Sequence, residues 1–210
     1  LPHPPELPRQ IGAAILGLDR IILGLAAFTG LSTEQMSRGS GWRFLDIGRR
    51  LERALFGCGL LRATCVSIED SVSIIWEALL GMTDNWATYR RRYHSYLQEA
   101  PMLDLLLFDE STPRSVAYQL ARLQEHLAAL PRKAALPQRR AEEKHILDAL
   151  TTLRLADLDQ LLAVAPEKEE REALEQMLAR LGALLQSLSD SITISYFRQT
   201  ALPQQLVDIQ

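Results

Sequence analysis

Apolar residues along this chain recur with the period of an α-helix in almost every long segment. No convincing two-residue alternation with hairpin turns marks a strand. The pattern predicts a first helix from about Leu7 to Gly30, apolar on nearly every side and therefore expected to be buried among other helices. A Ser- and Gly-containing connector, Ser32 to Gly41, leads to a second helix near Trp42 with Ser40 as its cap, ending near Ala63. A third helix is predicted from Val66 to Leu80, stopping at Gly81, and Asp84-Asn85 caps a fourth through Trp86 to Tyr96. Pro101 opens a short apolar turn, Met102 to Phe108, followed by a polar loop from Asp109 to Thr112. Pro113 suits the first turn of a helix reaching Leu130, and Leu136 to Val164 forms another. Pro166 with Glu167, Glu169 and Glu170 reads as a helix start, with acids against the positive dipole end. In that last helix Leu174, Leu178, Leu181, Leu185, Leu188 and Ile192 form a heptad-like stripe, and the helix is expected to end near Thr200. The predicted class is all-α: a single up-and-down bundle of about six to eight helices. Residues 1–6 read as a linker, 7–200 as the bundle and 201–210 as a tail.

The stretch from Trp42 to Ala63 is the most informative. At about 100° per residue, Phe44, Ile47, Leu51, Leu55 and Cys58 share a core stripe, while Trp42, Leu45, Phe56 and Leu60 form a second apolar patch. Glu52 falls between the two, with Gly48 before it and Phe56 and Gly59 after it. A carboxylate in that sector is expected to be buried and to need cationic partners, since an unpaired buried charge costs several kcal/mol. The glycines are expected to offer bare backbone to a neighbouring helix or partner. Arg49, Arg50 and Arg53 cover the adjoining face, and Asp46 stands four residues before Arg50 for a local ion pair. Glu52 and these arginines form either a buried ion-pair network or a recognition or catalytic cluster. Arg90 and Arg91 are candidate partners for Glu52 from another helix.

Composition narrows the function classes. The 210 residues carry a net charge of −3, and no long basic run argues for nucleic acid. Arginine far outnumbers lysine. The two cysteines, Cys58 and Cys65, would stand about 10 Å apart along one helix, too far for a disulfide. Free thiols suit a reducing compartment, so a cytoplasmic location is expected. No uncharged apolar run reaches about 18 residues, the nearest being Ile21 to Leu31, so no membrane association is expected. The opening Leu1-Pro2-His3-Pro4-Pro5 resembles a Pro-rich linker rather than a signal peptide, as expected of a domain cut from a longer polypeptide.

Other constellations are weaker. Glu142 and His145 have the Glu-x-x-His spacing of di-iron bundles, but the partner pairs such a site requires are not apparent, and the run RRAEEKH reads as a solvated helix start. No nucleophile elbow is present, and Cys58 lies on the core stripe. No Gly-rich phosphate loop occurs, so neither a cofactor nor a metal is expected. Tyr89 to Tyr96 interleaves tyrosines and arginines, a pattern open to phosphate or single-stranded nucleic-acid binding or to internal ion pairs. Arg114 follows Pro113 in a predicted first turn, where it opposes the helix dipole; a specific acidic contact is expected there. Trp42, Trp76 and Trp86 are expected in the core.

Glu52-Arg53, within Gly48-Arg49-Arg50-Leu51-Glu52-Arg53-Ala54, resembles the eponymous motif of the bacterial alpha-E domain family. Tyr89 to His94, Leu103 to Gln119 (LDLLLFDESTPRSVAYQ) and Leu188 to Phe197 are similar to the same family, so the resemblance spans most of the chain. It implies a helical domain without an assigned activity, often fused or gene-linked to circularly permuted ATP-grasp proteins, with transglutaminase-like peptidases nearby. The family domain is usually longer than this chain. The implied role is an interaction or accessory module for an ATP-grasp peptide ligase, encoded in the same chain or nearby, and for its peptide. The alternative is an enzyme component in which Glu52 and the arginines act on a carboxylate or phosphate.

Overall fold

The computed structural model describes residues 9–68, 72–94, 96–131, 138–164 and 169–198. Among them the chain is all-α, as its periodicity predicts. Nine α-helices occur: α1 Arg9–Gln35, α2 Ser40–Cys65, α3 Val72–Met82, α4 Trp86–Tyr93, α5 Glu99–Leu103, α6 Val116–Ala128, α7 Ala141–Arg154, α8 Leu158–Leu162 and α9 Glu172–Ile192. Single π-helical turns, Asp104–Phe108 and Thr193–Phe197, extend α5 and α9. The chain divides into two compact units, Leu1–Leu45 and Asp46–Gln210.

The first unit is built on α1. Its apolar residues are exposed rather than buried: Leu16, Ile22, Leu23, Leu25 and Phe28 all face solvent. Within this unit alone the expected burial is absent, because it offers only residues 40–45 as further helix. Ile11–Gln35 is long and apolar enough to cross a membrane by length and composition, with mean hydropathy 1.9. Counting only uncharged runs overlooked this, because Asp19 and Arg20 interrupt the run. Arg38 stacks on Trp42, with its guanidinium carbon 4.5 Å from the ring centre, so Trp42 is half-buried under a cation rather than in a core.

The second unit holds the core. In α9 the buried residues Leu174, Leu178, Leu181, Leu185, Leu188 and Ile192 are those of the predicted stripe, and α9 packs along α7. α7 buries Glu142, Ile146, Ala149, Leu150 and Leu153, and also packs on α6. Leu105, Leu106 and Leu107 of the first π turn are all buried, which explains a run with no polar face. Cys58 and Cys65 are free, buried thiols. Burial pushes Cys58 up to about 12 and Cys65 up to about 11, the state of a core side chain.

Three helix starts differ from the periodic reading. The residues before α3 are extended: Ser67 bridges Glu170, Ile68 N donates to Glu169 O, and Arg171 N donates to Val66 O. Hence α3 begins at Val72 and α9 at Glu172, while Pro166 and Glu167 lie outside the described residues. The side chain of Arg171, 3% exposed, clamps this junction. Its guanidinium donates to Cys65 O and Glu99 Oε1, both at 2.6 Å. Pairing competes with helix here because the buried guanidinium needs these acceptors. Similarly α6 begins at Val116 rather than Pro113, because Ser115 Oγ accepts from Tyr118 N as the helix cap. The segment predicted from Leu136 to Val164 is two helices, broken where Asp157 caps α8. Arg171→Ala should lower unfolding free energy by about 1.5–3 kcal/mol, the worth of hydrogen bonds to a charged group. Urea denaturation should show a lower midpoint with an unchanged slope; a wild-type midpoint would contradict the clamp.

Candidate functional site

Residues of α2 and α6 run antiparallel past each other. Asp46 meets His126, Arg50 meets Gln119, and Gly57 meets Val116. A Cβ at Gly57 would lie 3.1 Å from Val116 Cγ2, so glycine permits this approach. Gly48 and Gly59, expected to do so, face open space.

Along this seam runs a polar chain. Asp46, buried, accepts from Arg50 Nε at 3.1 Å, and its Oδ2 lies 2.7 Å from His126 Nε2. Arg50 Nη1 donates to Gln119 Oε1 at 3.2 Å, and Gln119 Nε2 donates to the carbonyl of Pro113 at 2.5 Å. The predicted Asp46–Arg50 pair is therefore present, but it is tied to α6. Burial raises the Asp46 pKa; the charge of Arg50 and the hydrogen bonds of His126 and Arg50 outweigh it, leaving the carboxyl below its ordinary value of 3.8. Arg50 and Arg122 each lie over the Tyr118 ring, at 5.3 and 5.5 Å.

Around this chain the cations gather. Arg53 is held below its ordinary value by desolvation and by the positive charge of Arg50, Arg114 and Arg49, against which Asp46 acts alone among the named influences. Arg49, Arg50, Arg53 and Arg114 thus share one electrostatic neighbourhood, with Arg53 making no ion pair among the described residues. Arg114 approaches Asp84 at 4.0 Å, but it precedes α6, which begins at Val116, so the first-turn placement expected for it does not hold.

Glu52 does not join this cluster. It is exposed, on a face with Gly48, Phe56 and Gly59 that is also exposed, Phe56 by 61%. The expectation of a buried, arginine-bound Glu52 is corrected: Phe56, in one of its two flanking patches, is not covered. Arg90 and Arg91 form no ion pair with Glu52 among the described residues. Arg90 instead lies over Trp86 at 5.2 Å, leaving Trp86 half-buried, while Trp76 alone of the three tryptophans is fully in the core.

Two groups escaped the sequence reading. The first is Glu142, only 1% exposed although RRAEEKH reads as solvated. It lies 3.5 Å from Arg140 Nε and accepts from Ser195 Oγ at 3.5 Å, joining the start of α7 to the last π turn, where Tyr196 also contacts Arg140. Its place four residues before Ile146, on the buried face of α7, was the available signal. The second is Asp109. Its carboxylate accepts from Ser111 N (2.8 Å), Ser111 Oγ (2.7 Å), Thr112 Oγ1 (2.5 Å) and Arg92, and its carbonyl accepts from Ser115 Oγ at 2.5 Å. Despite desolvation, these donors hold Asp109 down to about 2.

Residues 7–197 match Alpha-E, described as a predicted alpha-helical domain with a conserved ER motif. Uncharacterised proteins of Mycobacterium tuberculosis H37Rv and Mycobacterium bovis are each 31% identical over 205 residues. In each case the match takes in 95% of this chain and 22% of the relative, so the chain spans about a fifth of the proteins it resembles. No solved structure matches it.

Asp46 and Asp109 bind their donors when ionised, so their folded pKa values lie below the unfolded ones. Their contribution is complete above the ordinary value of 3.8 and is lost as the pH falls, towards about 2 for Asp109. Asp46→Asn should cost about 1–3 kcal/mol at neutral pH, and its stability should decline less than that of wild type on acidification. Denaturant melts from pH 7 to pH 2 measure both; parallel wild-type and variant curves would contradict the role given to Asp46.

Proposed function

Because this chain belongs to the Alpha-E family, we propose that it is a non-catalytic helical interaction module that works with an ATP-grasp peptide ligase. The partner, or the peptide it handles, docks on the arginine face of α2. One observation carries the reading: Arg53 feels the positive charge of Arg50 and Arg114, while the nearby buried carboxylate, Asp46, is already engaged by Arg50 and His126. Guanidinium groups held close repel one another, and an acidic segment relieves that repulsion through bidentate contacts. The burial of both thiols supports a role without a cysteine nucleophile. Exposure of Glu52 weighs against the rival in which it is a desolvated general base, and fits an edge position on a docking surface. The ligase association and the peptide chemistry rest on the family resemblance, and the relatives' greater length is compatible with a neighbouring catalytic portion.

Calorimetry on the 210-residue chain should show no tight ATP–Mg²⁺ binding, and salt-sensitive binding of the ATP-grasp partner. Arg49→Glu with Arg53→Glu should weaken that binding at least tenfold, mainly through association rate, with the melting curve retained. Tight nucleotide binding by the chain alone, or partner binding indifferent to charge reversal, would overturn the proposal.

A further inference from the structure

A cavity of about 590 Å³ lies between the start of α4 and the loop entering α6, a size ordinary for small-molecule sites. It shares only Arg114 with the arginine face described above, and stands independently of any ligase partner.

Three features of its wall are donors left over from folding. The first is charge. Arg92, Arg91 and Arg114 line the cavity with Asp84 and Asp109. Arg92 and Asp109 are bonded to each other, and Arg92 also faces Asp104 at 3.7 Å. Arg91 has no ion pair among the described residues, and Arg114 has only the exposed Asp84 at 4.0 Å. The second is Asn85. It is 4% exposed, and its amide nitrogen is buried without a hydrogen-bond partner. Such a buried donor is costly to leave unsatisfied. The third is the start of α4. Asn85 is its N-cap residue, yet makes no side-chain capping bond. The first-turn N–H groups there lack that acceptor and carry the positive end of the helix dipole.

Apart from the exposed Asp84 the leftover groups are donors, so the missing component includes an acceptor with negative charge. Three arginines against two aspartates leave one positive charge on the wall. That balance suits a group of single negative charge, such as each carboxylate of a small acid, whereas a doubly charged phosphate group would meet the two aspartates as well. We propose that this cavity binds a small carboxylic acid, its carboxylate lying between Arg91 and Arg114 at the start of α4. Asp109 holds Arg92 and the loop in place and takes no part in contacting the ligand. Free amino acids and simple dicarboxylic acids share this group, and the test separates them.

The 210-residue chain, labelled with ¹⁵N, is titrated with succinate, glutamate, N-acetylglutamate and inorganic phosphate in low-chloride buffer. The expected result is saturable binding of at least one carboxylic acid at millimolar concentration or below. Amide shifts should be confined to residues 84–92 and 109–115, with phosphate at least tenfold weaker. A preference for glutamate over its N-acetyl form would assign an amino acid, with Asp84 facing the ammonium; the reverse order or equality would assign a plain carboxylic acid. Arg91→Gln and Arg114→Gln alter exposed side chains and should each weaken binding about tenfold while leaving the melting curve unchanged. Absence of saturable shifts with every acid, phosphate binding as tight as any carboxylate, or affinity unchanged in both arginine variants would each overturn the proposal. None of these results depends on an ATP-grasp partner.

Discussion

The carboxylate of Asp109 accepts from a backbone amide, two hydroxyls and a guanidinium, and the carbonyl of the same residue accepts from a third hydroxyl. Each bond fixes a different part of the unit. Arg92 brings the last turn of α4 to the loop, Ser111 and Thr112 set the loop's turn, and Ser115, once placed, caps α6. With α6 anchored, Gln119 can bond both Pro113 and Arg50, and His126 reaches Asp46. One chain of polar contacts therefore runs from α4 to α2, and the arginines on either side of the loop owe their positions to it. Networks of this kind specify geometry more than they add stability.

What the sequence made legible was periodic. The α9 stripe is buried as a heptad pattern requires, and both cysteines lie on the core side. Periodicity misled where it assumed a cover. The wheel placed Glu52 between two apolar patches, yet Phe56 of one patch is solvent-exposed and Glu52 with it. The same assumption failed for α1, whose apolar surround has no neighbour within its unit. Composition misled in the opposite direction at Glu142, where a charged run hid a residue in phase with Ile146 and Leu150. The Asp109 loop was recognisable as a polar turn, but its bonds to Arg92 and Ser115, and the Asp46–His126 pair 80 residues apart, leave no mark in local spacing.

The arginine-rich character of the chain acquires a division of labour. Arg50, Arg92, Arg140 and Arg171 are spent on fold-defining contacts with Asp46, Asp109, Glu143 and Glu99. Arg53 and Arg91 make no such contact among the described residues, and Arg114 barely does. Because the first group fixes the backbone that carries the second, recognition surfaces can be rigid without self-neutralising. That separation is the physical basis for treating the exposed arginines as binding groups.

The claim that one carboxylate organises both arginine sites is most directly tested by amide hydrogen exchange in Asp109→Ala. The account predicts a joint loss of protection in the last turn of α4 and in the first turn of α6, with α7 and α9 protected as in wild type. Wild-type exchange in both turns, or a loss confined to residues 109–112, would contradict it.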